Sequence, residues 1–131
     1  MKIDRDVAVI GLGYVGLPLA VEFGKKYKTI GFDINQKRIN ELRDGIDITL
    51  ESNSDDIKSA KYLKFTCDIN DLKEYNIYIV TVPTPINHFK SPDLAPLLAA
   101  SEMIGSSLLP LSLSFSLGDS ETGRGLEWFR C

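Results

Sequence analysis

The sequence predicts an α/β fold, a parallel β-sheet with helices on both faces. Three observations predict it. Apolar runs of strand length alternate with helix-length segments along residues 7–108. The first run, Val7-Ala8-Val9-Ile10, passes directly into the turn Gly11-Leu12-Gly13-Tyr14-Val15-Gly16 that opens a helix. Three chemically marked features, namely that turn, Asp33 and Pro83-Thr84-Pro85, each fall where a strand ends. In parallel sheets that is the edge where ligands sit.

Each element has its own justification. Val7 to Ile10 is apolar without alternation and rich in β-branched residues, as a strand buried on both faces should be. Gly11, Gly13 and Gly16 have the G-x-G-x-x-G spacing of a dinucleotide-binding turn. Gly11 suits a tight exit from the strand. Gly13, lacking a Cβ, lets a pyrophosphate approach the main chain. Gly16 lets helix and strand pack closely. The helix expected over 14–26 places Gly16, Leu19, Ala20 and Phe23 on one face, and Pro18 lies in the permitted first turn. A second strand, Thr29 to Phe32, delivers Asp33 about 20 residues past the glycines, where an acceptor for a ribose 2′-OH is expected. An Asp at that point repels a 2′-phosphate, which favours NAD over NADP. Arg38 complicates this, because a nearby Arg can accommodate that phosphate; a solvated place on the helix face is an equal alternative for it.

Asn35 is an N-cap candidate for a helix ending near Arg43, with Ile39 and Leu42 as its apolar pair and Asp44-Gly45 as its stop. After a loop, Ser54 to Ala60 reads as a short helix with Asp55 and Asp56 solvated in its first turn. Tyr62 to Thr66 is a third strand. Asp68 to Glu74 holds one or two helical turns with Ile69 and Leu72 inward. Ile77 to Val82 is a fourth strand, stopped by Pro83-Thr84-Pro85. Asp93 caps a helix from Leu94 to about Leu108, whose inner face is read as Leu94, Leu97, Leu98, Ser101 and Ile104 or Gly105. From Leu109 to Leu117 Leu and Ser alternate in a one-sided strand pattern, unlike a central parallel strand; Gly118 to Cys131 has no helical or strand period. A sheet truncated after about four strands, with an atypical, poorly ordered tail, is therefore expected.

Composition narrows the classes. The 131 residues suit one domain, and 44% hydrophobic content suits a packed core. No apolar run approaches a membrane span, and the charged segment Met1 to Asp6 lacks a signal-peptide core, so a cytoplasmic location is expected. A net charge of −3 gives no nucleic-acid footprint. Cys67 and Cys131 form neither a disulfide framework nor a zinc pattern. Cys67 reads as a small buried hydrophobe and His88 as a surface residue without a second metal ligand.

Val9 to Ala20, Gly31-Phe32-Asp33-Ile34-Asn35 and Val82-Pro83-Thr84-Pro85 together resemble the N-terminal, Rossmann-type NAD-binding domain of the UDP-glucose/GDP-mannose dehydrogenase family. The resemblance covers about residues 5–108 and points in particular to the bacterial UDP-N-acetylhexosamine 6-dehydrogenases. It implies oxidation of a UDP-sugar C6 alcohol to a carboxylate for surface polysaccharide synthesis, with NAD as hydride acceptor and a cysteine trapping the aldehyde. Carried over by position, Gly11, Gly13, Tyr14, Val15 and Gly16 hold the pyrophosphate. Asp33 accepts from the adenosine ribose, Arg38 lies near it, and Thr84 lies toward the nicotinamide. For Thr84 a plain turn role between two prolines is an equal alternative.

No residue here matches the family's catalytic cysteine, lysine or asparagine. Those residues, the dimer-forming helix and the UDP-binding second domain lie farther along a longer chain. Residues 1–108 are thus read as a partial NAD-binding domain and 109–131 as a divergent tail, with the substrate domain absent. A truncated gene, a frameshift near Leu108 or a fragment is expected, without activity of its own. A non-enzymatic, redox-sensing dinucleotide-binding module and a non-functional gene remnant stand as alternatives.

Overall fold

A computed structural model of the chain describes residues 5–83, 85–86, 88–107, 113–117 and 127–130, with backbone alone at 106–107, 113–117 and 127–130. The strands are β1 (Val7–Ile10), β2 (Thr29–Phe32), β3 (Leu63–Thr66), β4 (Ile77–Val80), β5 (Leu113–Leu117) and β6 (Glu127–Arg130). They form one sheet in the order β3-β2-β1-β4-β5-β6. The first four expected strands pair in parallel, with β3 at one edge. Val7 of β1 pairs with Thr29 on one side and Ile77 on the other, and Ile10 with Phe32 and Val80.

The sheet does not end there. A fifth strand, β5, runs parallel to β4, placing Leu113 beside Tyr78, and β6 returns antiparallel with Ser116 opposite Trp128. Glu127–Arg130 carries no strand signal of its own. Pairing with an open sheet edge satisfies its backbone groups, and such pairing needs no periodic side chains. The rest of the tail lies outside the described residues.

The helices are α1 (Gly16–Gly24), α2 (Gln36–Arg43), α3 (Ser54–Ser59) and α4 (Ala95–Ser107), with a 3-10 helix at Ile69–Glu74. Alternate residues of each strand serve opposite faces. Val7, Val9 and Ile79 pack with Leu17, Ala20, Val21, Ile39, Leu42 and Ile57, beneath α1, α2 and α3. Ala8, Ile10, Ile30, Phe32, Tyr78 and Val80 pack with Leu72, Tyr75, Ala100 and Ile104, beneath the 3-10 helix and α4.

Two helix faces differ from expectation. The buried stripe of α1 is Gly16, Leu17, Ala20, Val21 and Gly24, with Leu19 and Phe23 only partly buried at its margin. Small residues recur there every four positions, so the helix backbone can lie close to the sheet; a Cβ on Gly24 would come within 2.6 Å of the Leu63 Cβ. On α4 the inner residues are Leu97, Ala100, Ser101 and Ile104, while Leu94, Leu98 and Gly105 face outward, Leu98 at 59% exposure. Leu97 and Leu98 are adjacent, so helical period alone allows either face. Packing on the 3-10 helix selects the one that carries Ala100.

Candidate functional site: the crevice beyond β1, β2 and β4

Neighbouring strands β2 and β4 leave β1 on opposite sides, so the strand order reverses beside β1. Outside the carboxyl ends of strands at such a switch point lies the ligand crevice of an open parallel sheet. The glycine turn stands there. Gly11 has φ +95°, a conformation costly for a side chain, and any Cβ would press on the Thr81 carbonyl. At Gly16 a Cβ would overlap both the Gly11 carbonyl and Thr81 Oγ1, so the expected close packing of helix on strand is present. At Gly13 there is nothing within 4 Å of where a Cβ would stand, which leaves room for a ligand against the main chain.

The turn is braced on all sides. Gly11 N donates to Phe32 O at 2.8 Å. Thr81, 6% exposed, donates its hydroxyl to Gly11 O at 2.7 Å. Leu12 N donates to Asp33 Oδ2 at 3.1 Å, and Leu12 O accepts from Arg38 Nε at 3.0 Å. Gly31 makes room for the buried Leu12 side chain, which lies 2.9 Å from where a Gly31 Cβ would be.

Helix ends differ in a telling way. Asn35 Oδ1 accepts from the amides of Lys37 and Arg38 and caps α2, as expected. Asn53 caps α3 by accepting from Asp56 N, and Asp68 caps the 3-10 helix. Asp93 Oδ1 accepts from Ala95 N at the start of α4. Val15, at the same position of α1, offers no side-chain cap. The first-turn N–H groups of a helix have no partner within it, and they carry a partial positive charge. At α1 Leu17 N donates to Gly13 O at 3.2 Å and Pro18 has no N–H, so the donors left for a ligand are the amides of the turn itself, beside the bare Gly13.

Asp33 sits half-buried at the tip of β2, with Oδ1 accepting from Asn35 N at 2.9 Å and Oδ2 from Leu12 N. A carboxylate with two such bonds retains lone pairs for a ribose hydroxyl. Tyr14 is 61% exposed, so its side chain does not close the turn. Thr84 lies outside the described residues. Of the two readings of Arg38, the solvated helix face is removed. Its side chain is 8% exposed and pairs with Asp47, whose side chain is 0% exposed, at 2.8 Å. Asp55 and Asp56 are exposed in the first turn of α3, as read from the sequence. Cys67 is only half-buried, with Sγ donating to Gln36 Oε1, and His88 is exposed.

Sequence reading missed two members of this arrangement. Thr81 ends an apolar strand with a hydroxyl, and Asp47 interrupts Ile46 and Ile48. Nothing in the sequence signalled the inversion the fold shows at Asp47, where the isoleucines are exposed and the acid is buried. Burial alone would raise the Asp47 pKa. The Thr49 hydroxyl, the Ser52 amide, the Arg38 guanidinium and the Thr49 amide outweigh it and hold the group at about 2.

An uncapped helix end, a turn bare of side chains at Gly13 and an acid at the adjoining strand tip are what a dinucleotide's phosphates and ribose require. The fold and this crevice define a dinucleotide-binding α/β domain. Residues 5–110 match the model of the UDP-glucose/GDP-mannose dehydrogenase family, NAD binding domain, and the chain belongs to that family. The match ends ahead of β5. UDP-N-acetyl-D-glucosamine 6-dehydrogenase of Salmonella typhi is 59% identical over 105 residues, 80% of this chain and 25% of the relative. The Pseudomonas aeruginosa protein of the same name is 62% identical over 105 residues, again 80% and 25%. Among solved structures, the UDP-N-acetyl-mannosamine dehydrogenase Cap5O of Staphylococcus aureus superposes with TM-score 0.72 at 27% identity, covering 86% of this chain and 29% of that one. The chain thus spans about a quarter of the length of these curated relatives.

Proposed function

We propose that this chain is the NAD-holding part of a nucleotide-sugar 6-dehydrogenase that oxidises the C6 alcohol of a UDP-N-acetylhexosamine to a uronate for surface polysaccharide synthesis. The observation that carries the reading is the glycine turn ahead of α1, without a side-chain cap and with nothing where a Gly13 Cβ would stand, its Leu12 amide held by Asp33. The names of the relatives supply the substrate class. In this reading residues 1–108 form the NAD-binding unit. The main chain of Gly11, Gly13, Tyr14, Val15 and Gly16 surrounds the pyrophosphate, and Asp33 accepts from the adenosine ribose. Thr84 lies toward the nicotinamide. When bound, NAD supplies the hydride-accepting ring. The chain's own residues bind and orient it, and none of them is assigned to the chemical step.

Titration of the purified chain with NAD, followed by its melting temperature, tests this. A rise that saturates with cofactor supports the reading, and Asp33→Ala should abolish most of it. A flat melting temperature at millimolar NAD would overturn it. Incubation with NAD and UDP-N-acetylglucosamine should give no turnover from this chain alone, since the residues of the chemical step are not among those assigned.

A further inference from the structure

We propose that Asp47 is a specificity-determining positioning residue: by engaging Arg38 it fixes the Leu12 carbonyl and withholds the guanidinium from any phosphate on the adenosine ribose. The inference rests on the cofactor reading above.

The geometry is a relay of charge and hydrogen bonds that ends inside the protein. Arg38 Nε donates to Leu12 O at 3.0 Å, Nη1 to Asp47 Oδ1 at 2.8 Å, and Nη2 to Thr49 Oγ1 at 3.4 Å. Asp47 is itself fixed. Its Oδ1 accepts from Thr49 N at 3.0 Å and from the Thr49 hydroxyl at 2.6 Å. Its Oδ2 accepts from the amides of Glu51 and Ser52, each at 3.0 Å. The loop that follows α2 is thereby folded around one carboxylate. The loop places that carboxylate beside the guanidinium.

Two consequences follow. The Leu12 peptide, between the first two glycines of the turn, is clasped at both poles, N–H by Asp33 and C=O by Arg38. Its orientation sets where the next amides of the turn point. Secondly, the charge of Arg38 is matched within the fold. Asp33 is then left to set the local sign at the tip of β2. A 2′-phosphate there would meet the Asp33 carboxylate while the Arg38 guanidinium is held by Asp47, so discrimination is built partly from repulsion. Without Asp47, Arg38 would be an uncompensated cation on the same Leu12 peptide that Asp33 holds from its other side. It would then be able to offset that repulsion, and a charge-assisted bond gained this way is worth about tenfold in affinity.

The dissociation constants of NAD and NADP for the full chain, measured by calorimetric titration, give the test. Wild type should prefer NAD. In Asp47→Asn the ratio of the two constants should move about tenfold toward NADP, and adding Arg38→Met should move it back. A folded Asp47→Asn protein with an unchanged ratio overturns the proposal. If Asp47→Asn does not fold, Arg38→Met decides. A residue that acts through Leu12 predicts that NAD and NADP weaken by the same factor, about tenfold; a selective loss of NADP would mean that Arg38 already serves the phosphate, and overturns the proposal. Wild type that binds neither dinucleotide refutes the cofactor reading itself and takes this inference with it.

Discussion

α1 and α2 begin at the same edge of the same sheet, one after β1 and the other after β2, yet their ends are finished in opposite ways. At α2 the side chain of Asn35 turns back and takes two amides. At α1 Val15 takes none, and the fold instead spends its polar groups on the preceding turn, through Thr81, Asp33 and Arg38. A capped helix end is complete within the protein. One without a side-chain cap, beside a turn open at Gly13, leaves the amides of the turn for an anion, so the difference between the two is one of structural support against binding.

The comparison is broken most severely at Gly16. Gly16→Ala should lower stability by about 3 kcal/mol, because the added methyl meets the Gly11 carbonyl and Thr81 Oγ1 with no space to relax. Chemical denaturation reads the loss; an unchanged midpoint would mean that the turn is not tightly packed. Acid should act next. The folded pKa of Asp47, about 2, lies below its ordinary value of 3.8. Its contribution, about 2 kcal/mol, is therefore present above roughly pH 4 and lost as pH falls toward 2. Asp47→Asn should flatten that part of the stability–pH curve, and a curve of wild-type shape would show the carboxylate to be unimportant.

Smaller changes sharpen the contrast. Val15→Asp places a negative charge where α1 meets the phosphates. It should weaken NAD about tenfold and leave the melting temperature nearly as it was. Equal affinity would move the phosphates away from that helix end. Asn35→Ala should do the reverse, costing about 1 kcal/mol of stability and leaving NAD affinity unaltered. Loss of binding in that variant would mean that the two ends are not functionally distinct.

Local chemistry made much of this legible beforehand. Val7–Ile10 and Thr29–Phe32 are buried strands where continuous apolar runs foretold them, and Asn35 caps α2 as its residue type suggests. Gly11, Gly13 and Gly16 each show the conformation, open space or close approach that their spacing demands. The strands and the cap depend on a few neighbouring residues, so sequence by itself determined them; the glycine spacing named the turn, while the Thr81 against which Gly11 and Gly16 pack is distant in the chain.

What only the tertiary structure decided concerns residues whose partners are distant or ambiguous. The inner face of α4 depended on what lay beneath it, because Leu97 and Leu98 offered two nearly equivalent stripes. β6 formed because β5 presented an edge, with no pattern of its own to announce it. Arg38 read equally well as a contact near the ribose or as a helix-surface cation until Asp47, nine residues on, and Leu12, twenty-six residues back, enclosed it. Charge alone does not say whether a group faces water or a buried opposite charge. Desolvation and pairing are properties of the folded neighbourhood, and the chain records them only after it has closed on itself.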